Sequence, residues 1–269
     1  MKIIPLLAAA AMLGAAASTA SATTFTNGGF ETGNFSGWVQ GAGYRGGTSN
    51  SALTTAMLLP GGSLYDASYL NHSAVVGSSY VDPNLSAALG STVYSLNFSA
   101  RVEDTTNGGY ASVISQTVAN YTDPNIFFAW KAVLENGGHV ADQSAEMLIE
   151  LTDNTTGQVI IRRQFNAGAS GVGVDNRFSD NGNGFFYTPQ WQIEQLSLTS
   201  SQIGDTFTLS VLGADCEPTG HTGYVYLDGF GAVAPPVDGG GGTAVPEPAS
   251  LMALAAGLTG LGLFRRNRA

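Results

Sequence analysis

Two stretches of the chain concentrate side chains able to do chemistry. Ile126–His139 ends with Glu135 and His139, and Ala214–Asp228 carries Asp215, Cys216 and His221. Carboxylate and imidazole together can ligate zinc or another divalent cation. The spacing inside either stretch matches no zinc signature, and there is no H-E-x-x-H. Glu135, His139, Asp215 and His221 therefore have two readings: a divalent-metal site, or a hydrogen-bonded polar cluster that organises two loops. Both readings need the fold to bring the stretches together. Cys216 is the sole cysteine, which excludes an internal disulfide and a four-cysteine zinc site. As a partner for His221 it has no third group nearby in sequence to orient an imidazole base, and it reads as a small buried hydrophobe. His72 stands alone and receives no role.

Other candidates are weaker. Asp175–Gly184 is a polar loop that breaks the EF-hand pattern at Gly182 and reads as turn chemistry. Tyr44, Tyr187 and Trp191 lie beside Gly-rich segments and are candidates for stacking on sugar rings. There is no G-x-S-x-G elbow, P-loop or placed dinucleotide fingerprint. The chain thus reads as non-catalytic. A paired-carboxylate hydrolase stays open as the alternative, because the separation that defines such a pair is three-dimensional.

The elements that must position these residues are strands. Val93–Val102 alternates, with Tyr94, Leu96, Phe98, Ala100 and Val102 on one side and Ser95, Asn97, Ser99 and Arg101 on the other, the pattern of a half-buried antiparallel strand. Glu146–Thr152 and Gln158–Phe165 flank Asp153–Gly157 as a hairpin. Thr206–Val211 and Tyr224–Phe230 are further strands, Glu194–Gln202 is extended or a single helical turn, and no βαβ rhythm or internal repeat is present. An all-β antiparallel sandwich over residues 23–232 follows. Gly makes up 36 of 269 residues and charged residues only 11%, against about 25% charged in ordinary soluble domains. That balance suits an extracellular β-protein with many tight turns.

The two ends are addresses. Lys2, the apolar Ile3–Ala17 and Ala20-Ser21-Ala22 form a secretory signal peptide over residues 1–22, cut before Thr23. Residues 233–244 are a Gly/Pro linker. Ala249–Phe264 is an apolar stretch that would rise about 24 Å as a helix, a minimal transmembrane span against a bilayer core of about 30 Å. Arg265, Arg266 and Arg268 follow, and the positive-inside rule places them in the cytoplasm with the body outside. Setting aside Lys2, Glu247 and those three arginines, the 10 basic and 20 acidic residues of the chain fall to 6 and 19, net −13. Such a body has no electrostatic basis for binding nucleic acid.

Val245-Pro246-Glu247-Pro248, the apolar run and the Arg265, Arg266, Arg268 tail together resemble the PEP-CTERM sorting signal of Gram-negative, exopolysaccharide-producing bacteria. The resemblance implies an exosortase-type membrane protease as partner, a transient stay in the inner membrane, cleavage near the motif, and release to the cell surface or extracellular matrix. It covers residues 245–269 and is silent on the body.

At the start of the body, Asn27-Gly28-Gly29-Phe30-Glu31 and Asn34-Phe35-Ser36-Gly37-Trp38 resemble the first strand of secreted carbohydrate-binding-module jelly rolls. Tyr226-Leu227-Asp228-Gly229-Phe230 stands where the last strand of that family ends. The resemblance implies a jelly-roll-like (galactose-binding-like) sandwich, with Glu31 and Asp228 as candidate ligands of a structural Ca2+. Gly229 replaces the usual second acid or amide. The opposing reading is that Glu31 and Asp228 accept only backbone and turn hydrogen bonds. Phe30, Phe35 and Trp38 alternate as core residues rather than as a sugar platform. Ile126–His139 and Ala214–Asp228 also resemble a domain recurring in secreted bacterial surface proteins. The expectation is an exported surface or matrix protein that binds polysaccharide or associates with exopolysaccharide. The alternatives are a secreted hydrolase or lyase, or a purely structural matrix component.

Overall fold

The alternating and continuous apolar runs fold, in a computed structural model describing residues 24–232, into two packed antiparallel sheets. The strands are β1 (Val39–Tyr44), β2 (Ala74–Gly77), β3 (Phe98–Val102), β4 (Tyr110–Val118), β5 (Asn125–Glu135), β6 (Glu146–Asp153), β7 (Gln158–Asn166), β8 (Ser179–Asp180), β9 (Phe185–Tyr187), β10 (Gln192–Ser197), β11 (Phe207–Ala214) and β12 (Gly223–Gly231). One sheet has the order β1-β4-β11-β6-β7. The other runs β2-β3-β12-β5-β9-β8, with β10 beside β9 along the same flank of β5. The chain changes sheet at β1–β2, β3–β4, β4–β5, β5–β6, β7–β8, β10–β11 and β11–β12, and β3-β12-β5 faces β4-β11-β6. That winding is a jelly roll. The expectations for residues 1–22 and 233–269 lie outside the described residues, among which no helix is long and apolar enough to cross a membrane.

Three apolar clusters hold the sandwich. The largest lies between the sheets around Phe128, Trp130, Leu134, Ile149, Leu209 and Val211. A second, around Tyr224, Tyr226, Ala129, Val133, Leu89 and Trp191, covers the outer face of the β12 sheet. The third lies outside the β11 sheet, where Leu53 and Leu58 pack on Val113, Leu148 and Leu212. Central strands are therefore buried on both faces, which is why Ile126–Leu134 is almost continuously apolar instead of alternating. Lys131 fits in that run because its Nζ donates to the carbonyls of Leu89 and Ser91. On the same outer face, the buried Asp82 accepts both tyrosine hydroxyls, of Tyr224 and Tyr226, at 2.8 Å.

The β6–β7 hairpin stands as expected. Its Asp153 Oδ1 accepts the N–H groups of Thr155 and Thr156, and Gly157 takes φ +73°, the turn chemistry those residue types supply. Glu194 to Ser197 is extended, in β10. Two expectations are corrected. The strand over 93–102 shrinks to Phe98–Val102, and Leu96 is exposed at φ +59°. The amides of Tyr94, Ser95 and Asn97 donate to the side chains of Asp228 and Glu31 instead of to a neighbouring strand. Residues 27–38 form turns, not a first strand. Phe30 and Trp38 are nonetheless core residues, with ring centroids 5.2 Å apart, and Phe35 packs against them.

Candidate functional site

The β11–β12 connection, Asp215–Thr222, organises one rim of the sandwich. Cys216 N–H donates to His221 O at 2.9 Å, closing the loop on itself. Gly220 N–H donates to Gly108 O, and Glu217 N–H to Gln143 O, both at 2.8 Å. The loop is thereby pinned between the 103–110 and 136–143 segments. Because side chains alternate along an extended chain, neighbouring residues serve opposite flanks: Asp215 reaches the first segment and Cys216 the second.

On the Cys216 flank, His139 Nε2 lies 3.2 Å from His221 Nδ1, and Cys216 Sγ lies 3.3 Å from that same Nδ1. The three donor atoms are all within 4.8 Å of one another; the thiol is buried and both imidazoles are partly exposed. Burial pushes the Cys216 thiol above its ordinary pKa. Of the four residues grouped from sequence, the fold brings together His139 and His221. It turns the two acids onto backbone: Glu135 Oε2 accepts Thr222 N–H at 3.0 Å, and Asp215 Oδ2 accepts Tyr110 N–H at 3.1 Å. Burial, with the nearby charge of Glu103, raises the Asp215 carboxyl to about 9.

On the Asp215 flank lies a second constellation that sequence reasoning missed. His72 Nδ1 is 2.6 Å from Glu103 Oε1 and 3.4 Å from Asp104 Oδ2. Glu103 is fully buried at φ +70°, in the left-handed region that side chains rarely adopt. Its second oxygen accepts Ser112 Oγ–H at 2.7 Å. The Glu103 hydrogen bond raises the His72 pKa. Around this pair the rings cluster: Tyr110 to Tyr69 at 4.6 Å, Tyr110 to His72 at 4.9 Å and Tyr110 to Tyr44 at 5.6 Å between centroids. Tyr44 is 50% exposed, whereas Trp191 is buried and Tyr187 half-buried. Of the three aromatics singled out from sequence, Tyr44 is the one presented to solvent. No local pattern joins His72 to Glu103, 31 residues away.

Beyond Tyr44 the chain enters an open cleft of about 620 Å³, lined by Thr48, Ser49, Asp142, Gln143, Glu217 and Met57. Hydroxyl, amide and carboxylate groups share these walls with Gly47, Ala52, Met57 and Val140. Asp142 accepts Ser51 N–H at 2.7 Å and Ser51 Oγ–H at 3.1 Å, bonds that hold its carboxyl below the ordinary range.

The candidate calcium residues sit toward the other end of β12. Asp228 is fully buried; its Oδ2 accepts Tyr94 and Ser95 N–H at 2.9 Å each, and its Oδ1 accepts Gly229 N–H at 2.6 Å. Burial pushes this carboxyl well up, against those three bonds. Glu31 accepts Asn97 N–H, Asn97 Nδ2–H and Phe98 N–H. A carboxylate offers about four lone-pair sites, so three backbone amides engage Asp228, while two backbone amides and the Asn97 side-chain amide engage Glu31. Gly28 closes the same corner: a Cβ there would lie 1.7 Å from Phe230 O. The Asp175–Gly184 loop shows turn bonding, with Asp180 accepting Gly182 N–H and Asn181 accepting Asn183 N–H.

At the carboxyl end, residues 244–268 match the PEP-CTERM protein-sorting motif. The chain carries an exosortase sorting signal. The PEP-CTERM match takes in Val245, Pro246, Glu247 and Pro248 together with Arg265, Arg266 and Arg268. It marks a protein exported by membrane sorting in a Gram-negative bacterium, with exosortase processing. No curated protein sequence matches the chain. Among solved structures, TmCBM61 in complex with β-1,4-galactotriose is similar at 12% identity, over 77% of this chain and 96% of that one, with a TM-score of 0.36. A structure of carbohydrate-binding modules from the β-sandwich superfamily is similar at 9% identity, over 79% of this chain and 62% of that one, TM-score 0.35. A Stig cyclase, Fisc, from Fischerella sp. TAU is similar at 15% identity, over 78% and 96%, TM-score 0.35. These likenesses carry no argument about ligand or activity.

Proposed function

We propose that this PEP-CTERM protein is a non-catalytic cell-surface or extracellular-matrix component that binds polysaccharide at the rim built around the Asp215–Thr222 loop. The observation that carries the reading is the exposed Tyr44 ring, backed edge-on by Tyr110, three residues before Gly47 and Thr48 enter a cleft of mixed apolar and polar lining that includes Ser49, Asp142, Gln143 and Glu217. An aromatic face covers the apolar side of a pyranose, while polar groups fix hydroxyl positions, the usual division of labour in small-ligand sites. A net charge of −10 for the whole chain favours neutral glycans over anionic ones. A secreted hydrolase is the second reading, because Asp142 and Glu217 both line the cleft and a carboxylate pair is what glycoside hydrolysis uses.

The deciding experiment incubates the purified full chain, in detergent, with a glycan array and the exopolysaccharide of the source cells. Retention and newly formed reducing ends are scored together. Saturable retention without new ends, reduced by Tyr44→Ala, is the expected result. New ends abolished by Asp142→Asn or Glu217→Gln would establish the hydrolase instead. Neither retention nor new ends would leave a structural matrix component.

A further inference from the structure

The geometry points to a transition-metal site on the Cys216 flank: we infer that His139 Nε2, His221 Nδ1 and Cys216 Sγ bind one zinc-like divalent ion. Tetrahedral zinc, with bonds of about 2.0–2.1 Å to nitrogen and about 2.3 Å to sulfur, sets its nitrogens about 3.3 Å apart and nitrogen from sulfur about 3.5 Å. The separations here are 3.2 Å for His139 Nε2 to His221 Nδ1 and 3.3 Å for Cys216 Sγ to His221 Nδ1. Two of the three donor pairs thus already stand at ligand spacing, and all three donor atoms lie within 4.8 Å of one another, from segments 82 residues apart in sequence. A thiolate with two imidazoles selects zinc and its neighbours over calcium or magnesium, which take oxygen.

The donors are held where a metal needs them. The Cys216 and His221 backbones bond to each other at 2.9 Å, closing the turn. His139 O accepts Ala169 N–H at 2.9 Å and Ser144 Oγ–H at 3.3 Å, tethering that histidine from behind. Gly137 packs directly on the His221 ring: a Cβ there would lie 2.2–2.6 Å from Nδ1, Cε1 and Cγ, so only glycine leaves the ring in this position. The two acids are engaged elsewhere, Glu135 with Thr222 N–H and Asp215 with Tyr110 N–H, so the protein supplies three ligands. The fourth position then opens on the side of the partly exposed imidazoles, where water or a ligand hydroxyl completes the shell. On binding, the Cys216 thiol gives its proton to solvent and forms the sulfur–metal bond; both imidazoles bind as neutral bases. The inference is independent of the polysaccharide reading.

The test titrates the reduced, metal-free full chain in detergent with Zn2+ and, as a spectroscopic reporter, Co2+. One equivalent of each should bind, and Co2+ should show a thiolate-to-metal charge-transfer band with the intense d–d absorption of a tetrahedral site. Cys216→Ser should abolish the charge-transfer band and weaken Zn2+ at least about 100-fold. His139→Ala should weaken it about 10–100-fold, and Gly137→Ala should do so by displacing His221. His72→Gln, on the other flank, should leave binding unchanged. If Cys216→Ser fails to fold, the wild-type Co2+ spectrum and the His139→Ala titration decide by themselves. Absence of the charge-transfer band in the wild type, or Zn2+ affinity unmoved by a folded Cys216→Ser variant, would overturn the assignment.

Discussion

The two ends of strand β12 use the same residue chemistry to opposite ends. Near Phe230, the carboxylates of Asp228 and Glu31 are filled with N–H donors from the Tyr94–Phe98 segment and from Gly229. That end is sealed: the acids replace a missing stretch of strand ladder. Near Gly223, Glu135 and Asp215 play the same backbone-holding part, and doing so leaves His139, His221, Cys216 and the Tyr44 ring free of it. A polar residue near a loop becomes available for ligands when another group satisfies the local amides, since buried N–H groups are almost always paired.

The sealed end should be the costlier to disturb. Asp228→Ala removes the acceptor of the buried Tyr94 amide and of the part-buried Ser95 and Gly229 amides; a buried donor left unpaired costs about 1–3 kcal/mol and the part-buried pair less, so a loss of about 2–3 kcal/mol in chemical denaturation is expected. Any folded fraction should still bind glycan through the far rim. Normal stability in this variant would remove the claim that the carboxylate replaces the ladder.

The open rim should show the reverse balance. Tyr44→Ala should weaken glycan retention about 10-fold, equivalent to about 1.4 kcal/mol, while changing stability by less than about 0.5 kcal/mol, as for other exposed substitutions. Equal losses of binding and stability would mean that Tyr44 is a packing residue.

A smaller effect separates the rims by pH. The Glu103 hydrogen bond raises the His72 pKa in the folded protein, so folding binds this proton more tightly than the unfolded chain does. The stabilisation is fully present below the ordinary histidine value of 6.5 and is lost as pH rises through the folded value. Melting curves of wild type and His72→Gln should converge at high pH and separate in favour of the wild type at low pH. Parallel curves would show that the His72 proton is not linked to folding.

The smallest effect expected is that of calcium. With their oxygens largely engaged by amides, Glu31 and Asp228 should leave the melting temperature unmoved between calcium and EDTA, each at about 5 mM, well above the dissociation constants of strong sites. A calcium-dependent rise that disappears in Glu31→Gln would place the cation at the sealed end.

Much of the architecture was legible because its signals are local. Alternation and turn residues mark the β6–β7 hairpin, and the Pro-Glu-Pro motif, apolar run and arginines of the tail are contiguous. The 93–102 segment shows the limit of that logic: its alternation is intact in sequence, yet two distant carboxylates capture its amides and stop the strand at Phe98. The site was half legible for the same reason. His139 and His221 stand out by residue type, but their meeting depends on a loop pinned from both sides. Cys216 looked inert, because a single cysteine carries no spacing to read.

The sequence by itself determined the sandwich, the β6–β7 hairpin and the sorting tail, since periodicity and contiguous motifs are properties of neighbours along the chain. Only the tertiary structure decided which polar groups face amides and which face outward. Asp215 and Cys216 are adjacent, yet one holds Tyr110 and the other meets His221. His72 reaches Glu103 across 31 residues, and His139 reaches His221 across 82. The physical reason is that hydrogen-bond satisfaction is settled across the whole folded interior, after the strands have chosen their partners.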